Sequence, residues 1–266
     1  MKALDELEGL FFFSAGRRTI PFVSSSRKDA EKEFYDRCYQ RANLNTLNGF
    51  YLQSAGVLRY ERGIYDACAE RDVLEYGCGI GGHAARLADR GARVLGIDIS
   101  EQAIERARSS TPQRSDGRLR FLREDAESLS FPDASFDLVC GTGILHHLDL
   151  ARAIAEVRRV LRPGGKAIFY EPVAHNPLIN IYRMLTPADH TEDEHPLTVG
   201  DIRAIQDGFA SAQAEFFDFF SIGAIPLLRL PGGMTLLRAL EWIDRRILAA
   251  PSLRRWAGTV VLEGIR

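Results

Sequence analysis

Asp72-Val73-Leu74-Glu75-Tyr76-Gly77-Cys78-Gly79-Ile80-Gly81-Gly82 passes from a short apolar strand pattern, through a glycine-rich turn, into a helical pattern. A turn built this way lets a ligand come close to the backbone, because no Cβ stands in its path. Outward from this stretch the same alternation repeats. Strands are expected at 73–76, 93–97, 119–122, 136–140 and 166–171, with helices at 82–90, 101–109 and 150–161. Strands that alternate with helices specify a parallel sheet covered on both faces, a doubly wound α/β fold. Arg162-Pro163-Gly164-Gly165 is expected to stop the third of these helices, since proline cannot continue it and glycine permits the positive-φ turn that follows.

Residues on either side of this core read as its attachments. Helical spacing of Phe34, Tyr35, Cys38 and Tyr39 predicts a helix over 30–41, and a second helical pattern runs over 47–68. Thr198 followed by Asp201 is a capping-box signature for a helix start. A sixth strand is expected at 214–220, a helix at 235–248 and a seventh strand at 258–265. The organisation is therefore an N-terminal arm and helical lid at 1–70, a ligand-binding core at 71–172, and at 173–266 the last strands with substrate-side insertions, all in one domain.

Composition narrows the partners. The chain has 266 residues, 45% hydrophobic and 26% charged, and a net charge of −2, which gives no basic surplus for a phosphate backbone, so no nucleic acid is expected. Cys38, Cys68, Cys78 and Cys140 lack metal-site or disulfide spacing and suit a reducing cytoplasm. The apolar burst Leu10-Phe11-Phe12-Phe13 is too short for a signal segment, and no run elsewhere has the length of a spanning helix, so a soluble protein with no membrane span is expected. His190-Thr191-Glu192-Asp193-Glu194-His195 offers metal-ligand types but reads as a solvated acidic loop, and no metal is expected.

The acids decide which ligand the glycine loop takes. Gly77, Gly79 and Gly82 satisfy the dinucleotide spacing, which alone is weak. Glu75, two residues before the first glycine, would sit poorly beside a pyrophosphate but can pair with an ammonium. Asp98, at the end of the second strand, can accept two ribose hydroxyls, although alone it would equally cap a helix starting at Ser100 or Glu101. Asp125 follows the third strand, within reach of an adenine amino group, and Ile99 would flank the base. S-adenosylmethionine carries an ammonium and a sulfonium and no phosphate. Three acids at three successive strand ends suit it better than NAD.

In Leu74 to Gly81, Gly96-Ile97-Asp98-Ile99-Ser100, Asp125-Ala126, Ser135-Phe136-Asp137-Leu138-Val139, Leu145-His146-His147-Leu148 and Leu161 to Gly165, the chain resembles the class I S-adenosylmethionine-dependent methyltransferases. It is closest to small-molecule enzymes similar to the ubiquinone and menaquinone C-methyltransferases. The resemblance covers about residues 70–172. It implies a Rossmann-like seven-stranded sheet with an antiparallel last strand. It further implies that Glu75 and the backbone of the glycine loop, Gly77, Cys78, Gly79 and Gly81, hold the methionine part, Asp98 the ribose, and Asp125 with Ala126 the adenine. Gly141, after the fourth strand, completes the candidate cofactor set.

Methyl transfer from a sulfonium is an in-line displacement, dominated by positioning and exclusion of water, with a base needed only for some oxygen, nitrogen or carbon acceptors. His146 and His147 follow the fourth strand at the edge where such sheets bind ligands, and either suits a base or a structural role in the turn. Glu171, at the end of the fifth strand, can orient a histidine, contact the acceptor, or stand solvated. Tyr35, Tyr39 and Tyr182 are candidates for contact with the acceptor. Apolar residues around 178–184 and 225–237 can roof a pocket for a hydrophobic acceptor or bury a homo-oligomer interface. Two other functions compete: a nicotinamide-dependent oxidoreductase and a non-catalytic cofactor-binding protein of the same fold.

Overall fold

A computed structural model describes residues 25–41, 53–111, 117–185 and 195–266. Seven strands form one sheet: β1 (Asp72–Tyr76), β2 (Arg93–Asp98), β3 (Leu119–Arg123), β4 (Phe136–Thr142), β5 (Leu161–Pro172), β6 (Ser211–Phe217) and β7 (Thr259–Ile265). Their order is β3-β2-β1-β4-β5-β7-β6. Strands β1 to β5 pair in parallel, and β7 runs antiparallel to both β5 and β6. The chain order reverses between β1 and β4, which creates a crevice at their carboxyl ends.

The helices are α1 (Ser25–Arg41), α2 (Ala55–Cys68), α3 (Gly82–Ala88), α4 (Glu101–Ser110), α5 (Leu150–Val160), α6 (Pro177–Leu185), α7 (Val199–Asp207) and α8 (Gly233–Ile247). Strand alternation sorts side chains onto two faces. Leu74, Val139, Phe169 and Leu262 pack with α5 and α7, through Val157 and Ile202. Val73, Leu138, Ile168 and Val261 pack with α2, α3 and α4, through Tyr60, Leu87 and Ile104. By that alternation Glu75 shares the face of Val73, toward α2 and α3.

Helix starts follow the sequence chemistry. Ser54, Ser100 and Asp149 each accept a backbone N–H of the first turn, and Thr198 with Asp201 forms the capping box. Ser100, rather than Asp98, therefore caps α4.

Several boundaries differ from expectation: α1 begins at Ser25 rather than 30, β4 runs on to Thr142, and three further differences have a visible cause. Helix α3 ends at Ala88, because Arg90 and Gly91 turn back onto Leu87 and Ala88. Helix α5 stops at Val160, and Arg162 to Gly165 stay within the long β5 as an irregularity: Leu161 pairs with Phe136, the register shifts, and Gly164 takes φ +76°. Strand β6 covers 211–217 rather than 214–220. Asp218 adopts φ +63°, and the N–H groups of Phe219, Phe220 and Ser221 donate to the Asp244 carboxylate instead of a neighbouring strand. Among the described residues no helix is long and apolar enough to cross a membrane.

Candidate active site

Strand β1 ends in a turn that only glycine enters without strain. Gly77 has φ +68°, and a Cβ there would lie 2.8 Å from Ile144 Cδ1. The loop is then clasped to β2: Cys78 N donates to the Ile97 carbonyl (2.8 Å) and Gly79 N to Asp98 Oδ2 (2.9 Å). Asp98 Oδ1 accepts Ser100 N at 2.9 Å. Burial pushes the Asp98 carboxyl above its ordinary range, against the opposing pull of those backbone donors.

Glu75 sits beneath this loop, 4% exposed. Burial raises its carboxyl to about 8. Among the described residues its buried Oε2 has no hydrogen-bond partner, and His83 Nδ1 lies 3.8 Å from Oε1. A buried carboxyl oxygen left unpaired is costly, and an ammonium would satisfy it. The residues present therefore fit the cationic amino end of S-adenosylmethionine.

A cleft of about 740 Å³, partly open to solvent, runs along the carboxyl edge. Gly77, Asp98, Ile99, Asp125 and Ala126 line it. Asp125 Oδ1 accepts Glu127 N at 2.9 Å, and Tyr76 Oη donates to the Ala126 carbonyl. Glu75, Cys78, Gly79 and Gly81 lie behind this surface rather than on it. Gly141 does not line this cleft; a Cβ there would stand 2.7 Å from the Tyr76 carbonyl, so its smallness serves the close approach of β1 and β4. Thr142 and Gly143 take the cleft wall instead.

Helix α1 covers the other side. Lys28, Glu31 and Tyr35 recur at i, i+3 and i+7, one face of a helix, and all three line the cleft. Lys28 Nζ is 2.6 Å from Asp125 Oδ2 and 3.0 Å from Glu127 Oε2. These two carboxylates raise the Lys28 ammonium above its ordinary value, over the opposing effect of burial. Arg27 donates to the buried Glu127 carboxylate and to the His147 carbonyl (2.8 Å). Lys28, Glu31, Arg27 and Glu127 escaped the sequence reading. The signal was available as a charged face at helical spacing, but no apolar stripe marks it.

The two histidines part company in a single 3₁₀ turn, Leu145–His147. His146 Nδ1 lies 2.7 Å from Glu171 Oε2, and Glu171 Oε1 accepts the N–H groups of Ile144 and Leu145, each at 2.9 Å. Glu171 is fully buried, so the solvated reading of it is wrong. His146 and Glu171 pin the turn and do not line the cleft. His147 does line it; its Nε2 is 2.8 Å from Tyr35 Oη and its Nδ1 is 3.4 Å from Glu31 Oε1. The side chains of Tyr39 and Tyr182, and residues 190–194 of the acidic loop, lie outside the described residues. Among the described residues no group of His, Cys, Asp and Glu is arranged to hold a metal.

Residues 74–169 match the family described as Methyltransferase domain. A 2-methyl-6-phytyl-1,4-hydroquinone methyltransferase of Synechocystis is 46% identical over 95 residues, 35% of this chain and 29% of that protein. A 27-O-demethylrifamycin SV methyltransferase of Amycolatopsis mediterranei is 43% identical over 97 residues, 35% of this chain and 36% of that protein. The matches thus span about a third of the length of these relatives. An S-adenosylmethionine-dependent methyltransferase of Mesorhizobium loti has the same fold, with a TM-score of 0.56 and 23% identity over 80% of this chain and 98% of that one. Residues 74–169 thus form a methyltransferase domain similar to those of S-adenosylmethionine-dependent enzymes, which supports S-adenosylmethionine as the cofactor.

Proposed function

We propose that the protein transfers the methyl group of S-adenosylmethionine to a hydrophobic small-molecule acceptor. The observation that carries this reading is one cleft with two differently equipped sides. Asp98 and Asp125 line the cleft for the cofactor, with Glu75 buried beneath the glycine loop, and Tyr35 with His147 lines it for the acceptor. Glu75 and the Gly77 to Gly79 backbone would hold the amino acid part, Asp98 the ribose, and Asp125 with Ala126 the adenine. The cofactor, when bound, supplies an electrophilic methyl on a sulfonium. The unpaired Glu75 oxygen favours a cationic ligand over a pyrophosphate, which disfavours the oxidoreductase reading.

The chain's own residues supply the rest. An acceptor proton would pass to Tyr35 Oη as the tyrosine proton passes to His147 Nε2, and the Glu31 carboxylate beside Nδ1 would balance the imidazolium. Helix α1 would exclude water by closing over the cleft. The phytyl hydroquinone and the demethylrifamycin in the relatives' names support an apolar acceptor class. The test is a thermal melt with S-adenosylhomocysteine against NAD(H), followed by mass spectrometry of products from S-adenosylmethionine and apolar phenols or quinols. A ligand at a hundredfold its Kd adds about 2.7 kcal/mol. Stabilisation by NAD(H) alone would overturn the proposal, as would binding of the adenosyl ligand with no methyl transfer to any acceptor class.

A further inference from the structure

The excursion between β6 and β7 carries a charge unlike the rest of the chain. From Ile225 to Trp256 it holds Arg229, Arg238, Arg245, Arg246, Arg254 and Arg255 against two acids, Glu241 and Asp244, although the whole chain is net −2. Both acids are buried and turned inward. Glu241 accepts Ala55 N at 2.8 Å and pairs with Arg238 at 2.7 Å, and Asp244 accepts the N–H groups of Phe219 to Ser221. No acid of this segment is left at its surface.

Helix α8 places these charges beside an apolar outward face. Leu237, Glu241, Asp244 and Leu248 face the protein. On the opposite side, at helical spacing, stand Leu236, Ala239, Trp242, Ile243 and Arg246. Trp242 is 56% exposed, and the Arg246 guanidinium lies 4.8 Å from its ring centroid. Apolar exposure continues on the neighbouring α6, where Met184 is 81% exposed. Helices α6 and α8 share a small core through Ile179, Ile222 and Leu237.

Topology fixes the sheet edge from which this excursion leaves and to which it returns. Strands β5 and β6 end, and β7 begins, at one edge, as the pairing of Pro172 and Phe217 with Thr259 records. That is the carboxyl edge on which the cleft opens.

We infer that the outward face of α8 docks on an anionic lipid surface. Exposed Trp, Leu and Ile flanked by arginines is the composition of a helix lying in a bilayer interface, with apolar side chains at the acyl boundary and guanidinium groups on acidic headgroups. Charge complementarity selects this occupant over a second copy of the chain, which would bring arginine against arginine with no surface acid from the segment to pair.

The experiment is co-sedimentation of the full chain with phosphatidylcholine vesicles and with vesicles that also contain phosphatidylglycerol. Binding to the anionic vesicles is expected, with weakening at high salt. It should fall by about tenfold or more in Arg245→Glu/Arg246→Glu, and also in Trp242→Ser/Ile243→Ser, with thermal melts confirming that both variants fold. Absence of binding to anionic vesicles overturns the inference, and so does binding that Arg245→Glu/Arg246→Glu leaves unchanged. A concentration-dependent dimer that Trp242→Ser disrupts also overturns it, in favour of a second copy. The readout needs neither cofactor nor acceptor, so it stands or falls apart from the proposed transfer.

Discussion

Tyr35 Oη and His147 Nε2 lie 2.8 Å apart, joining helix α1 to the turn after β4. In the proposed relay the tyrosine oxygen takes the acceptor proton and the imidazole takes the tyrosine proton, so the two should fail together. Tyr35→Phe keeps the ring but removes the oxygen that relays the proton. It should lower kcat by about tenfold or more, and His147→Asn by about a hundredfold or more, while the Kd for S-adenosylhomocysteine stays within about threefold. Combining them should cost little beyond His147→Asn alone. Additive losses, or full turnover by Tyr35→Phe, would remove the relay.

In the proposed cofactor site, Glu75 links binding to pH. Its carboxyl ordinarily titrates at 4.5 and burial raises it to about 8 in the folded chain. Between those values the folded chain holds a proton that the unfolded chain has released. The contribution of Glu75 to stability is therefore complete below 4.5, falls as pH rises by at most about 1.4 kcal/mol per unit, and levels off above about 8. Glu75→Gln should flatten that slope in melts of the ligand-free protein. An ammonium needs the carboxylate form, so affinity for S-adenosylhomocysteine should climb across the same window by up to about tenfold per unit. Calorimetric titration checks this, and a pH-independent affinity in the wild-type chain would refute it.

The sequence exposed one side of the cleft far better than the other, for reasons that lie in the residues. Gly77 and Asp98 were readable because a positive-φ turn after an apolar strand and an acid at the next strand end are both local signals. His146 and His147 were indistinguishable because their divergence depends on Glu171, 25 positions away in the chain, which takes one ring and leaves the other to the cleft. The face formed by Lys28, Glu31 and Tyr35 has no apolar period, since its partners are carboxylates and an imidazole. The aromatic run Phe216 to Phe220 extended β6 too far, because nothing local says that Asp244 will claim the N–H groups beyond Asp218.

Helix α1 is held to the core by Arg27. Glu127 is nearly inaccessible, accepts Asp149 N at 2.9 Å, and has the Arg27 guanidinium as an ionic partner alongside Lys28. Arg27→Ala deprives a buried carboxylate of that partner and should cost about 1–3 kcal/mol. The loss should be local as well as global. Hydrogen exchange over residues 25–36 should accelerate, while β1 and β4 keep their protection. Unchanged protection in α1 would mean that other contacts hold the helix down.

Gly77→Ala tests whether the turn after β1 is kept open by backbone conformation or by its neighbour. At φ +68° an alanine carries left-handed strain of about 1–2 kcal/mol. Its Cβ would also stand 2.8 Å from Ile144 Cδ1 and 2.9 Å from Cγ1. Ile144 cannot retreat freely, because its N–H is bonded to Glu171 in the network that sets His146. The single change should therefore cost about 2–4 kcal/mol. Ile144→Ala removes the clash but leaves the strain, so a double-mutant cycle in urea should recover about 1 kcal/mol or more of coupling. Strict additivity would assign the whole penalty to the backbone and show that Ile144 moves aside without cost.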